Sequence, residues 1–221
     1  MKKSLFFTVV IMLTTMHSNS YSRTFASEPT FRDLFKTTLD KFENDSTADK
    51  YTNVIAELKR IDRIYPNEWI NSYQIALLEI QKSFLDLNEN NNFLLDDAKN
   101  NIDKIKRNKN ADISEVYTLE GYYYYTLIAK DPKEMGPKLY KDVFACYQKA
   151  LKYNQNNPRA KLLLLLFKMD MAEFMGQKED DVCQQLDEIS ELFKNELSDY
   201  DMPCWGGETL DSLFLKYCCK H

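Results

Sequence analysis

The chain has 221 residues, carries 29 Lys and Arg against 34 Asp and Glu, and has a formal net charge of −5. A net acidic chain lacks the basic face that nucleic-acid binding needs, so no nucleic-acid partner is expected. The two histidines are His17 and His221, and none of the five glycines sits in a phosphate-cradling pattern. Imidazole triads, interior histidine metal sites and nucleotide loops are therefore left out of the reading.

Lys2 and Lys3 precede an apolar run from Leu5 to Leu13 and then a short polar stretch, which is the order of a secretory signal peptide. The run is shorter than the roughly 20 residues a bilayer span takes, so no membrane-spanning segment is expected in the mature chain. Residues 1–22 are read as a signal peptide, with export to the periplasm or beyond. Residues 23–47 are read as an amino-terminal cap or linker, in which a helix from Thr30 to Phe42 places Phe31, Leu34, Phe35, Leu39 and Phe42 on one side.

From residue 48 to 195 the chain reads as helices separated by short polar breaks. The first runs from about Ala48 to Ile64 and stops at Pro66. The next is expected over about 68–87, and the asparagines at 88 and 90–92 break the periodicity after it. Helices over about 93–107 and 111–129 follow. Residues 130–137, with Pro132, Gly136 and Pro137, read as an extended loop, and a helix over 138–153 comes after it. Pro158 suits the first turn of a further helix. A helix over about 179–195 has Glu179, Asp180 and Asp181 against its positive end. Residues 196–221 are read as a carboxy-terminal loop and capping helix.

One spacing of small or apolar residues, i, i+4, i+7, recurs through this stretch. The copies are Val54/Leu58/Ile61, Ala98/Ile102/Ile105, Val143/Tyr147/Ala150 and Val182/Leu186/Ile189. Each triplet makes one helical stripe, and a pair of short helices cannot bury such a stripe without a neighbouring copy. The expected fold class is all-α, an α-solenoid of antiparallel helix pairs in three to four degenerate repeats.

Tyr117-x2-Glu120-Gly121-x2-Tyr124 followed by Val143-x3-Tyr147-x2-Ala150 resembles the tetratricopeptide (TPR) motif, in which the glycine lets paired helices approach and the aromatics fill the space between them. Gly136-Pro137-Lys138, Lys149-Ala150-Leu151, Asn156-Asn157-Pro158-Arg159-Ala160 and Pro203-Cys204-Trp205-Gly206-Gly207-Glu208 are similar to a narrower group, exported TPR-like proteins of Gram-negative bacteria. The resemblance implies a right-handed superhelix and export, and it carries no established activity.

Such arrays present a concave surface, so the leading functional reading is a non-enzymatic scaffold that binds a protein or peptide in the cell envelope. Helix phase nominates Tyr122, Tyr125, Arg159, Lys161 and Lys168 as partner contacts, with Tyr124 in the core. The alternative is a soluble periplasmic binder of a small molecule or glycan. No catalytic, cofactor or metal residue is nominated. Catalysis ranks last, because no nucleophile motif is present and a cysteine normally needs a cationic or basic partner to react.

The five cysteines lie between Cys146 and Cys219. If the last two helices run antiparallel about a turn near residue 201, Cys218 falls opposite residue 184. A disulfide from Cys183 to Cys218 is therefore expected in an oxidising compartment, with Cys219 as the alternative partner and Cys146 as a buried free thiol.

Overall fold

The structure is a computed structural model that describes residues 29–85, 87, 91–196 and 200–218. The expected signal peptide, Cys219 and His221 lie outside the described residues. Those described form nine α-helices and a terminal π-helical turn, with no strand among them.

Local chemistry sets most of the boundaries. Helix α1 (Phe31–Asn44) starts on a reciprocal cap, in which Asp33 N donates to Thr30 Oγ1 and Thr30 N donates back to Asp33 Oδ2. Helix α2 (Lys50–Ile64) ends just before Pro66, and α3 (Trp69–Leu85) follows it. Next come α4 (Asn92–Ile105) and α5 (Ile113–Lys130), the latter capped by Asp112, whose carboxylate accepts from the Ser114 and Glu115 amides. Helix α7 (Pro158–Phe174) is capped by Asn157, with proline at the position where no amide donor is needed. Helices α8 (Val182–Lys194) and α9 (Gly207–Leu213) lead to the π turn Phe214–Cys218.

The sixth helix corrects an expectation. Residues 130–137 are not an extended loop, because α6 runs from Pro132 to Tyr153. Asp131 caps it by accepting from Glu134 N at 3.1 Å, and Pro132 occupies the first turn. Pro137 gives up one backbone donor inside the helix. The composition that signals a loop is here a helix start with a second proline close behind.

Side-chain bonds fix how the helices are arranged. Lys82, late in α3, reaches Thr52, early in α2, while Asn71, early in α3, donates to the carbonyl of Leu58. These two helices therefore run antiparallel. Ser114 Oγ donates to Ala150 O, which sets α5 and α6 in the same relation. In contrast, α3, α5 and α7 run parallel in an inner row. Tyr73 bonds Glu115 and Glu115 pairs with Arg159 near their starts, while Phe84 packs on Tyr125 and Tyr125 donates to Asp170 near their ends.

The apolar stripes face this interior. Every member of the four triplets is buried except Val182, which is half-buried against α9 and its neighbours. A polar contact also lies inside. Lys59 Nζ stands 2.7 Å from the fully buried Glu79 and also pairs with Asp97. Burial outweighs that cation and pushes the Glu79 carboxyl up to about 7.

The disulfide joins Cys183 to Cys218 with their Cα atoms 5.6 Å apart, fixing the π turn to the start of α8. Leu186 and Ile189 of α8 pack there with Leu210 and Leu213 of α9. Cys146 is a buried free thiol that donates to Glu120 Oε2 at 3.6 Å, and burial pushes it up to about 12.

Gly121 lies where α5 and α6 approach too closely for a side chain. A Cβ atom there would lie 2.5 Å from Cε1 of Tyr147, a ring with no exposure. Gly121→Leu should therefore overpack the interface at about 1 to 3 kcal/mol, lowering the thermal midpoint by about 2 to 4 °C per kcal/mol. Lys109→Leu, at an exposed turn, should leave the midpoint nearly unchanged. Equal midpoints in thermal denaturation would contradict this packing.

Candidate functional site

The five nominated contacts do not form one surface. Arg159 is 2% exposed and Tyr125 is 5% exposed, so neither is free to meet a partner. Tyr125 is pressed between Phe84 and Phe167 with ring centroids 5.8 and 5.2 Å away. It takes the core position expected of Tyr124, which stays half-buried, because the residue four positions after Gly121 points back into the inner row. Tyr122 lies beside it and is stacked on Trp205 at 5.9 Å with an 18° tilt.

Arg159 closes a buried network. Its Nε donates to both carboxylate oxygens of Glu115, at 3.2 and 3.1 Å, and Nη1 donates to Glu196 at 2.9 Å and to the Trp205 carbonyl at 3.4 Å. Glu115 also accepts from Asn157 Nδ2 at 2.8 Å and Tyr73 OH at 3.1 Å, and Trp205 Nε1 donates to Tyr73 OH at 2.9 Å. Burial raises the Glu115 carboxyl above its ordinary range while the guanidinium draws it back.

The carboxy-terminal segment is thereby laid along the inner row. Tyr200 donates to Asp40 and Asp201 pairs with Arg32, both on α1, so the segment touches α1, α3, α5 and α7. Gly206 allows its turn, with φ +102° and the Phe193 ring 3.0 Å from where a Cβ would stand. The face that the repeat pattern assigned to a partner is occupied here by the chain's own residues.

Lys161 and Lys168 lie elsewhere. They share one side of α7, seven residues apart, and line a shallow hollow of about 170 Å³ with Leu164, Leu165, Gln185, Glu188 and Ile189. Two lysines beside a glutamate over so small a volume offer an ion contact and little enclosure.

A larger hollow opens between α4, α5 and the start of α6, with a volume of about 500 Å³. Leu87, Leu95, Leu127 and Met135 supply its apolar walls, and Asn92, Asp96, Tyr123, Lys130 and Asp131 its polar ones. Two of its polar groups are held in place. Lys130 Nζ donates to Asn91 Oδ1 at 2.6 Å, an atom that also accepts from Ser83, and Asp131 is the cap of α6. Burial first, then Asp96, Asp103 and Glu120, raise the Tyr123 phenol above its usual range, so it remains a neutral donor. Phe93 and Leu85, next to the lining stretches in sequence, are 63% and 71% exposed. The size falls within the range of small-molecule sites, and with five polar residues among the nine that line it the walls are mixed rather than predominantly apolar.

Residue-type reasoning misses this hollow because its walls come from two separate stretches, 87–96 and 123–135, and carry no motif. The available signals were the exposed Leu85 and Phe93 beside the asparagine break.

No family model matches the chain, and no curated protein matches it. Among solved structures it is similar to the HusA haemophore from Porphyromonas gingivalis, with a TM-score of 0.74 and 18% sequence identity, over 86% of this chain and 94% of that one. At that identity the likeness shows a shared all-helical fold.

The buried network yields a stability test. Arg159→Ala would leave Glu115 buried without its cation and should cost about 3 to 5 kcal/mol, the range for breaking a buried pair from one side. Lys161→Ala should cost under about 0.5 kcal/mol, as surface substitutions do. Urea denaturation of both variants gives the comparison, and similar losses would show that Arg159 does not hold the segment down.

Proposed function

We propose that this chain is a non-enzymatic binding protein for a small, flat, amphipathic ligand of the tetrapyrrole class, carried in the hollow between α4, α5 and α6. The observation that carries the reading is that hollow, about 500 Å³ with mixed walls, in a fold shared with a haemophore. The neighbour's name supports the choice of ligand class, and the volume of the hollow supports the choice of place.

The residues fit such a ligand through its ring more than through its metal. Leu87, Leu95 and Leu127 offer apolar contact. Met135 and Tyr123 belong to the residue types that ligate haem iron, but burial first, and then the carboxylates around it, keep Tyr123 a neutral phenol. Asp96 and Asp131 repel a ligand carboxylate, so the ligand's acidic edge points to the open side, and the Lys130 ammonium, bonded to Asn91, offsets part of the negative charge of the walls. Bound haem would supply the iron chemistry, and this chain's residues supply apolar contact, one cation and exclusion of water from one ring face.

Export is part of this proposal. It rests on the order of residues 1–22 and is supported by the Cys183–Cys218 disulfide, a bond that persists in oxidising compartments. The scaffold reading loses its expected face to the segment from Tyr200 to Gly206, so a protein partner would have to use the outer surfaces.

Spectrophotometric titration of the mature protein with haemin and with metal-free protoporphyrin tests the reading. Saturable one-to-one binding of both is expected, weakened at least tenfold by Leu127→Glu, which sets a charge in an apolar wall at about 1.4 kcal/mol per tenfold. Absence of saturable binding, or equal binding by the variant, would overturn the assignment.

A further inference from the structure

We infer that the end of the molecule where α2, α4 and α6 finish is a docking surface for an acidic protein segment that carries an aromatic residue. Two links define this end. Asn108 Nδ2 donates to Asn67 O at 2.9 Å, joining the α4–α5 turn to the α2–α3 turn, and Ser114 joins the start of α5 to the end of α6.

A rigid aromatic platform stands there. Tyr117 and Tyr153 are stacked with centroids 6.0 Å apart at 16°, and Tyr153 is 62% exposed. Lys106 Nζ and Lys149 Nζ stand 5.4 and 5.3 Å from the Tyr117 centroid, one from the end of α4 and one from α6. Arg107, Lys109 and Lys152 are exposed beside them and form no ion pair among the described residues.

The neighbouring carboxylates are largely taken up. Asp62 is paired by Lys104, Glu120 by Lys106 and Asp103 by Lys99, and Asp112 caps α5. Glu68 forms no such pair among the described residues. Cations at helix ends complement the macrodipole, which accounts for Lys104. The Glu120 pair accounts for Lys106, but neither effect accounts for Lys149 over the Tyr117 ring or for a stacked, exposed Tyr153. The result is a positive pole on a chain whose net charge is −5.

Charge complementarity selects the occupant. An extended anionic bilayer or polyphosphate repels the net acidic chain as a body, whereas a short acidic protein segment meets only the pole, the more distant negative charges being screened. Tyrosine and arginine are the residues that concentrate binding energy at protein interfaces, and the stacked pair gives an incoming aromatic a preformed surface. This surface is distinct from the α4–α6 hollow, so it stands whether or not a tetrapyrrole binds.

The test uses the full mature protein and a fluorescein-labelled peptide of alternating Glu and Tyr, read by anisotropy, with phosphatidylglycerol vesicles as a second arm. Saturable peptide binding is expected. The triple variant R107E/K149E/K152E should weaken it by about tenfold or more. K133E/K141E, a double charge reversal in the amino-terminal half of α6, should change it less than about twofold, because charges beyond a Debye length are screened. Vesicle binding without peptide binding would assign the pole to lipid and overturn the proposal. So would binding to neither probe, or equal loss in both variants.

Discussion

Arg159 places a guanidinium where 2% of the residue is exposed, and a charge in that position is tolerable only if its partners are complete. They come from separate stretches of chain: Glu115 on α5, Glu196 after α8, and the Trp205 carbonyl in the returning segment. Asn157, the cap of α7, bonds the same Glu115, so the helix start and the ion pair are fixed together. This one cation therefore sets the spacing of α5 and α7 and the path of the carboxy-terminal segment. The disulfide fixes the far end of that path against α8.

That constraint has a functional consequence. With Trp205 on Tyr122 and its indole nitrogen on Tyr73, these two positions of the inner row are already occupied, one by ring contact and the other by a hydrogen bond. An incoming peptide would have to displace groups whose burial is well compensated. The hollow between α4, α5 and α6 is the opposite case. Its walls mix apolar side chains with polar groups, of which Lys130 and Asp131 are held by neighbours, and its volume is open. Ligand binding is cheapest where polar groups are already oriented and little has to be displaced.

Much of this arrangement was legible in residue patterns. The four stripes foretold the buried register, Gly121 foretold the tight α5–α6 contact, and antiparallel reflection about residue 201 foretold the Cys183–Cys218 bond. These are local or near-local properties, where spacing along a helix fixes which side faces inward. Three features were not legible, each for a different reason. Pro132 and Pro137 signalled a loop, but Asp131 could cap a helix through them. Helix phase separated Tyr124 from Tyr125 by a single position, and the inner row took the latter. The return of Tyr200 to Gly206 over α1, α3, α5 and α7 depends on contacts across more than 100 residues, which no local period encodes.

Hydrogen exchange with and without haemin addresses the division of labour between these two faces most directly. The account predicts new protection of backbone amides in residues 92–96 and 123–135, with residues 200–206 exchanging as slowly in the free protein as in the mixture. Protection that develops in residues 200–206 while the α4–α6 hollow stays unchanged would contradict it, because the ligand would then be replacing Trp205 on the inner row.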